Sequence, residues 1–175
     1  TVRHLLETGR LFDDAGQWRT AGSLGETEVP RTVAMLVGRR LDELQPATRK
    51  VLAAAAVIGR VFPFQLLATI SATDDDALFD ALEDAERHHI IVEDAPGGAA
   101  HHRFVHEHFR HVLLLEFSLP RRQRLHLLTA DALEAAARPG GSGSVAEIAN
   151  HLELAGSASP PSRTAAALVA SAQAA

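Results

Sequence analysis

One change of hydrophobic pattern constrains the fold of this chain more than any other feature. From about residue 30 to residue 88, apolar residues recur every three or four positions, which is typical of helices packed on a core. Directly afterwards come two β-type segments, "HIIVED" and "HHRFV", joined by "APGGAA", whose proline and paired glycines are typical of a hairpin tip. Three helices followed by a β-hairpin is the order of a winged helix. We therefore predict a mainly α fold that contains this unit.

Four helical segments precede the hairpin, and each has its own start or stop signal. The first follows Pro30, and the second, Thr48 to Ile58, is rich in alanine and is stopped by Gly59. The third is short and follows Pro63, and the fourth begins at the acidic cap Asp74-Asp75-Asp76. Apolar residues repeat at helical spacing in each segment, and Leu78, Phe79, Leu82 and Ala85 of the fourth are predicted to face inward. The repeating residues are Val33, Leu36, Val37, Leu41 and Leu44 in the first helix, Val51, Leu52, Ala55 and Ile58 on one face of the second, and Phe64, Leu67 and Ile70 in the third.

Further helices are predicted on both sides of this unit. Upstream, "TVRHLLETGRLF" predicts a helix that ends at Gly9, and Asp13 to Gly16 predicts the turn of a short hairpin. Downstream, "EHFRHVLLLEF" and "PRRQRLHLLTADALEAAA" predict two helices split at Pro120, and "PGGSGS" predicts a flexible link. "VAEIANHLELAG" and "SRTAAALVASAQAA" then predict an antiparallel helical pair. A single pair is consistent with the start of a repeat array but does not establish one.

Bulk properties exclude several classes of protein. The chain has no cysteine, so disulfides and thiolate metal sites are excluded, and a reducing, cytoplasmic location is the expectation. Its apolar runs fall far short of the roughly 20 residues that cross a bilayer, so no membrane span is predicted. The start at Thr1 and the alanine-rich helical end lead us to expect a fragment.

Five of the chain's 10 histidines lie in "HHRFVHEHFRH", residues 101–111, and this suggests a metal site first. The zinc motif His-Glu-x-x-His needs its second histidine four residues after the first, but Arg110 occupies that place after His106. His111 comes one residue late, which turns it about 140° away on a helix. His101 and His102 point to opposite faces of a strand. We therefore predict no metal ligand here, and expect most of these histidines to be half-buried and hydrogen-bonded.

No catalytic or nucleotide-binding motif is present. "GGSGS" lacks the last glycine of Gly-x-Ser-x-Gly, and Lys50 follows Arg49 instead of the glycine of a phosphate loop. DNA binding is also disfavoured by the helix that begins at Asp74, the last before the hairpin and the third of the winged unit. It has seven acidic residues and no basic one between Asp74 and Glu86. That helix would set carboxylates against phosphates.

The remaining candidate residues have ordinary explanations. Arg121, Arg122 and Arg124 form a basic cluster that a solvated helix face explains. A lone tryptophan such as Trp18 is usually a core or hairpin anchor. Of the adjacent Arg39 and Arg40, at most one is expected to face something important.

Taken in order, five runs of the sequence resemble a known family. They are "VPRTVAMLVGRRLDEL", "RKVLAAAAVIGRVF", "FVHEHFRHVLL", "LPRRQRLH" and "EIANHLELAG". They resemble the region after the nucleotide-binding core in bacterial STAND signalling ATPases, large AAA-like proteins found as LuxR-type transcriptional regulators and with some adenylate cyclases and protein kinases. Each run alone is loose. Their common order over nearly the whole chain carries the resemblance.

The resemblance implies a division of the chain and a setting for it. Residues 1–27 would end the ATPase core, residues 28–119 would form a helical lid and winged-helix domain, residues 120–138 a connecting helix, and residues 145–175 the start of a tetratricopeptide-like (TPR) region. The fragment itself would have no catalytic residue and no cofactor, whereas the parent would be an ATPase that binds ATP or ADP with Mg. The implied partners are the upstream nucleotide-binding domain and downstream helical sensor repeats of the same chain, with a separate protein partner also conceivable.

The resemblance also implies two nucleotide-binding residues. In this family a histidine that enters the helix after the wing contacts the β-phosphate of ADP and holds the off state, and His106 in "FVHEHFR" matches it. Val105 and Glu107 depart from the Met-His-Asp pattern of plant-type switches. The placement is chemically reasonable, because free backbone N–H groups at a helix N-terminus favour a phosphate anion. Arg40 matches a family arginine and is the secondary candidate, while His126 matches a family histidine expected to pack.

Three hypotheses follow. The first is the regulatory portion of a STAND ATPase, which ATP hydrolysis by the purified chain would overturn. The second is a free-standing winged-helix DNA-binding module, suggested by the element order and tested by mobility shift at low salt. The third is a helical protein-interaction adaptor, suggested by the C-terminal pair and tested by whether partner capture is indifferent to ADP and ATP.

Overall fold

The computed structural model describes residues 31–94, 100–137 and 142–174. The helix and hairpin predicted within residues 1–30, Trp18 and most of the hairpin tip lie outside the described residues. The helices are α1 (Arg31–Asp42), α2 (Pro46–Ile58), α3 (Phe64–Ser71), α4 (Asp75–Arg87), α5 (Glu107–Leu115), α6 (Leu119–Ala136), α7 (Ser142–Ala155) and α8 (Pro161–Ala174). The strands are β1 (Val61–Pro63), β2 (Ile91–Asp94) and β3 (His101–Phe104), and a 3₁₀ turn (Gly156–Ala158) joins α7 to α8. The prediction of a mainly α fold is confirmed.

Helices α2, α3 and α4 and the three strands form the winged-helix unit. Strand β3 lies in the middle of the sheet and pairs antiparallel with both β1 and β2. In this register Val61 lies opposite Arg103, and Ile91 lies opposite Phe104. The predicted start signal of α4 is observed, because the Asp74 side chain accepts from the N–H of Ala77 at 3.0 Å and so caps the helix.

The prediction of a two-stranded hairpin was incomplete, because β1 adds a third strand. Its three residues are too few to show the alternation that identifies a strand. Pro63 also lacks the N–H of a central strand, but β1 lies at the edge of the sheet, where proline is tolerated.

The inward placement of Phe79 was wrong. Leu78, Leu82 and Ala85 are buried as predicted, whereas Phe79 is 52% exposed. The three buried residues follow one stripe of the helix, and Phe79 is turned about 100° from Leu78. Its ring stacks on that of Phe64, with centroids 4.6 Å apart, at the border of the core.

Helix α2 runs through the core of the described residues. Every residue from Val51 to Ile58 is buried, and α3, α4, α5 and α6 all pack on this helix. Its four consecutive alanines present little side chain, so neighbouring helices can approach it from several sides.

The C-terminal helices have a smaller core of their own. Ala130 of α6 and Ile148 and Leu152 of α7 are buried together. The flexible link predicted over residues 139–144 was too long, since α7 begins at Ser142. The first turn of a helix tolerates serine and glycine, residues of this link, because its N–H groups need no partner within the helix. None of the described helices is long and apolar enough to cross a membrane.

Candidate functional site

His106 lies at the junction between β3 and α5. Its backbone is extended (φ −131°, ψ 137°), and its carbonyl accepts from the N–H of Phe109 at 3.1 Å, so it is the N-cap residue of α5. Its side chain is exposed and makes no capping hydrogen bond. The ring instead stacks on buried Phe109, with centroids 6.2 Å apart. An exposed imidazole therefore stands beside the free amides of a helical first turn.

Two charged side chains set the electrostatics of this junction. Glu107 lies in the first turn, where its negative charge favours the helix dipole but opposes an incoming anion. Arg110 offsets that charge, since its Nη1 donates to Oε1 of Glu107 at 2.6 Å. The junction is thus close to neutral in its immediate surroundings.

Arg110 also attaches α5 to the core helix. Its Nε donates to the carbonyl of Ala56 at 2.9 Å, in the last turn of α2. A single side chain therefore joins the first turn of α5 to α2. A change in the position of α5 would alter this contact.

His126 of α6 and His151 of α7 form a contact that sequence reasoning missed. Their Nδ1 atoms lie 2.9 Å apart, and both side chains are buried. His151 also hydrogen-bonds to the backbone of Ile58, the last residue of α2. The pair therefore joins α6 and α7 to the same end of α2 that Arg110 contacts. No local sequence signal marks it, because the two residues are 25 positions apart.

Burial and nearby cations keep this pair neutral. Burial, the neighbouring His151 and the charges of Arg122 and Arg110 lower the pKa of His126 to about 4. Burial and the charge of Arg110 also lower the pKa of His151, although its hydrogen bond to Ile58 acts in the opposite direction.

The two neutral rings meet through their Nδ1 atoms, so one Nδ1 carries the N–H and donates while the other accepts.

The other histidines of the 101–111 stretch are spread over different surroundings. His102 is buried on β3 and stacks on Phe62 with centroids 5.8 Å apart, and burial lowers its pKa. His108 is exposed, and His101 and His111 are half-buried. In the part of the chain that the structure describes, no three His, Asp or Glu side chains are placed to hold a metal ion.

Arg40, the secondary candidate, lies in the last turn of α1 with an exposed side chain. It forms no ion pair or hydrogen bond with another described residue. The structure thus leaves its guanidinium accessible and shows no contact between it and His106.

One acidic residue of α4, Asp84, is buried, whereas the sequence predicted an exposed acidic face. Asp84 is 3% exposed and accepts from Thr48 Oγ1 at 2.8 Å and from the N–H of Gln45 at 3.3 Å. Burial acts to raise its pKa, but these hydrogen bonds and the charges of Arg87 and His88 hold that pKa below the ordinary value. Five carboxylates on and just before α4 remain exposed: Asp74, Asp75, Asp76, Asp80 and Glu83.

No protein-family model, curated protein or solved structure matches this chain.

Proposed function

We propose that this chain is the regulatory portion of a cytoplasmic STAND-type signalling ATPase. In that role it relays the ADP or ATP state of an upstream nucleotide-binding domain to a helical sensor region and to an output in transcriptional regulation. The parent binds ATP or ADP with Mg and hydrolyses ATP, whereas this portion does no chemistry itself.

The observation that carries the proposal is the position of His106. Its imidazole is exposed at the N-terminus of α5 and is not used in capping. It can therefore donate to a phosphate oxygen held by another domain while the helix amides favour the same negative charge. The exposed guanidinium of Arg40 is the secondary candidate for nucleotide contact.

The contacts of α5 support a relay. Because Arg110 bonds both Glu107 and the carbonyl of Ala56, a movement of α5 at His106 reaches the end of α2. From that end the hydrogen bond between Ile58 and His151 leads to α7. The proposed signal therefore has a path of direct contacts from the phosphate to the C-terminal helices.

Direct DNA contact by α4 forms no part of the proposal. A third helix in the major groove would bring five exposed carboxylates toward phosphates, and binding requires the opposite charge. In a mobility-shift assay at low salt we expect no specific complex. A specific complex that weakens as salt rises would favour the DNA-binding alternative.

Capture by the parent's nucleotide-binding domain tests the proposal. The immobilised domain, loaded with ADP or with a slowly hydrolysed ATP analogue, should retain at least about fivefold more of this chain in the ADP form, since about 1 kcal/mol of coupling has that effect. His106→Ala should remove the preference, and the matched variant His108→Ala should keep it. Equal capture with both nucleotides contradicts a nucleotide-dependent relay and favours the adaptor alternative.

A further inference from the structure

A cavity lies between α2, the end of α3 and α6, and the proposed nucleotide-dependent relay does not explain the residues that line it. Its volume is about 380 Å³, within the range of small-molecule sites. Neither His106 nor Arg40 lines it. Any role of the cavity is therefore independent of the proposed function.

Three cations from two different helices converge on this cavity. Lys50 comes from α2, and Arg121 and Arg124 come from α6. None of the three forms an ion pair within the described residues, and no described aspartate or glutamate lines the cavity. A solvated basic face of α6 explains the two arginines alone, but it does not explain why Lys50 of another helix faces the same space.

The position of one of these cations is partly fixed. The guanidinium carbon of Arg121 lies 5.0 Å from the centroid of the Phe117 ring, at the turn between α5 and α6. Such stacking limits the conformations of the arginine side chain, while its N–H groups stay free for a carboxylate or a phosphate.

The remaining wall supplies apolar surface and an unused polar group. Ile70, Leu125 and Leu128 contribute aliphatic side chains to the lining. Ser71 also lines the cavity, and its hydroxyl oxygen is buried without a hydrogen-bond partner among the described residues. A buried hydroxyl left unpaired is unfavourable, so a ligand with a polar group would stabilise this wall.

We propose that this cavity binds a small organic anion. Lys50, Arg121 and Arg124 hold its negatively charged head group, and the side chains of Ile70, Leu125 and Leu128 cover its apolar body. Phosphate and carboxylate head groups share the chemistry that these cations recognise, and the experiment separates the two.

Calorimetric titration of the full chain with octyl phosphate, octanoate, octanol and inorganic phosphate tests the proposal. We expect at least one of the two octyl anions to bind with 1:1 stoichiometry and at least about tenfold more tightly than either octanol or inorganic phosphate. The tighter of the two identifies the head group. If neither anion binds more tightly than octanol, the cations have no part in recognition and the proposal fails. If inorganic phosphate binds as tightly as the octyl anions, the apolar wall has no part in recognition and the proposal also fails.

Two matched pairs of variants locate the binding. Leu128→Glu places a carboxylate at the edge of the cavity, and Leu154→Glu makes the same change at an exposed leucine of α7 outside it. We expect the first to weaken octyl-anion binding at least about tenfold and the second less than twofold. Arg124→Gln should weaken it about fivefold, whereas Arg39→Gln, which removes an exposed arginine of α1, should not. Equal effects within both pairs would overturn the assignment of the site.

Discussion

Two groups of histidines in this molecule show how little distance along the chain says about contact in space. The stretch 101–111 holds five histidines, yet they lie on a strand, at a helix cap and along α5. His126 and His151 are 25 residues apart and are in direct hydrogen-bond contact. The compact sequence cluster is dispersed in the structure, while the close pair has no sequence signature.

The difference also separates two kinds of role. The side chain of His106 is exposed and does not cap its own helix with a hydrogen bond, so it is available to a partner. His126 and His151 are buried and use their nitrogen atoms to hold three helices together. We therefore expect substitutions in the pair to change stability, and substitution of His106 to change function.

The largest expected effect is the loss of stability that the substitution His151→Leu causes. This change leaves Nδ1 of His126 and the carbonyl of Ile58 without their partner, and each unpaired buried group costs about 1–3 kcal/mol. We expect the free energy of unfolding to fall by about 3 kcal/mol in urea titrations. For the matched control His108→Leu, at an exposed position, we expect a change below about 0.5 kcal/mol. Similar losses in the two variants would remove the distinction between the pair and the cluster.

The pair also predicts a loss of stability in mild acid. The folded-state pKa of His126 is lowered to about 4, against an ordinary value of 6.5, so the unfolded chain binds the extra proton more readily between those values. The contribution is fully present above pH 6.5 and declines as the pH falls toward 4. Between pH 6.5 and 4.5 the free energy of unfolding should drop by about 2 kcal/mol.

His126→Gln is the control for this pH effect. A glutamine amide can donate to Nδ1 of His151 or accept from it, but it does not titrate. The difference in unfolding free energy between pH 6.5 and 4.5 should therefore be smaller in the variant by about the amount attributed to His126. Since carboxylates titrate in both proteins, the comparison cancels their part. An unchanged pH dependence would show that His126 is not held neutral by its surroundings.

A smaller effect is expected for Arg110→Gln, which tests the connection between the two regions. The variant loses the hydrogen bond to the carbonyl of Ala56, and we expect a loss of about 1 kcal/mol in the free energy of unfolding. Amide chemical shifts should move both in the first turn of α5 and at the end of α2. Shifts confined to α5 would contradict the contact path from His106 to α2.

The sequence predicted the helices of this fold well, because their spacing and end signals are local. Gly59 ends α2, Asp74 caps α4, and Pro120 lies in the first turn of α6, as expected. The errors occurred where neighbours decide the outcome. Strand β1 depends on pairing with β3, and the place of Phe79 depends on Phe64.

The candidate site was predictable only in part, for the same reason. The position of His106 at the start of a helix follows from the change of pattern around Val105. The link from Arg110 to Ala56, the inward turn of Asp84 and the contact between His126 and His151 all join different helices. Periodicity within one helix does not specify which residues of two helices meet.

The release of ADP from the complete signalling ATPase is the most direct test of the role proposed for His106. His106→Ala should leave the free energy of unfolding of this chain within about 0.5 kcal/mol of the original, because the side chain is exposed. It should nevertheless speed ADP dissociation by about tenfold or more, the effect of losing one hydrogen bond to a charged phosphate. His108→Ala should change neither quantity. An unaltered ADP dissociation rate in His106→Ala would contradict the account.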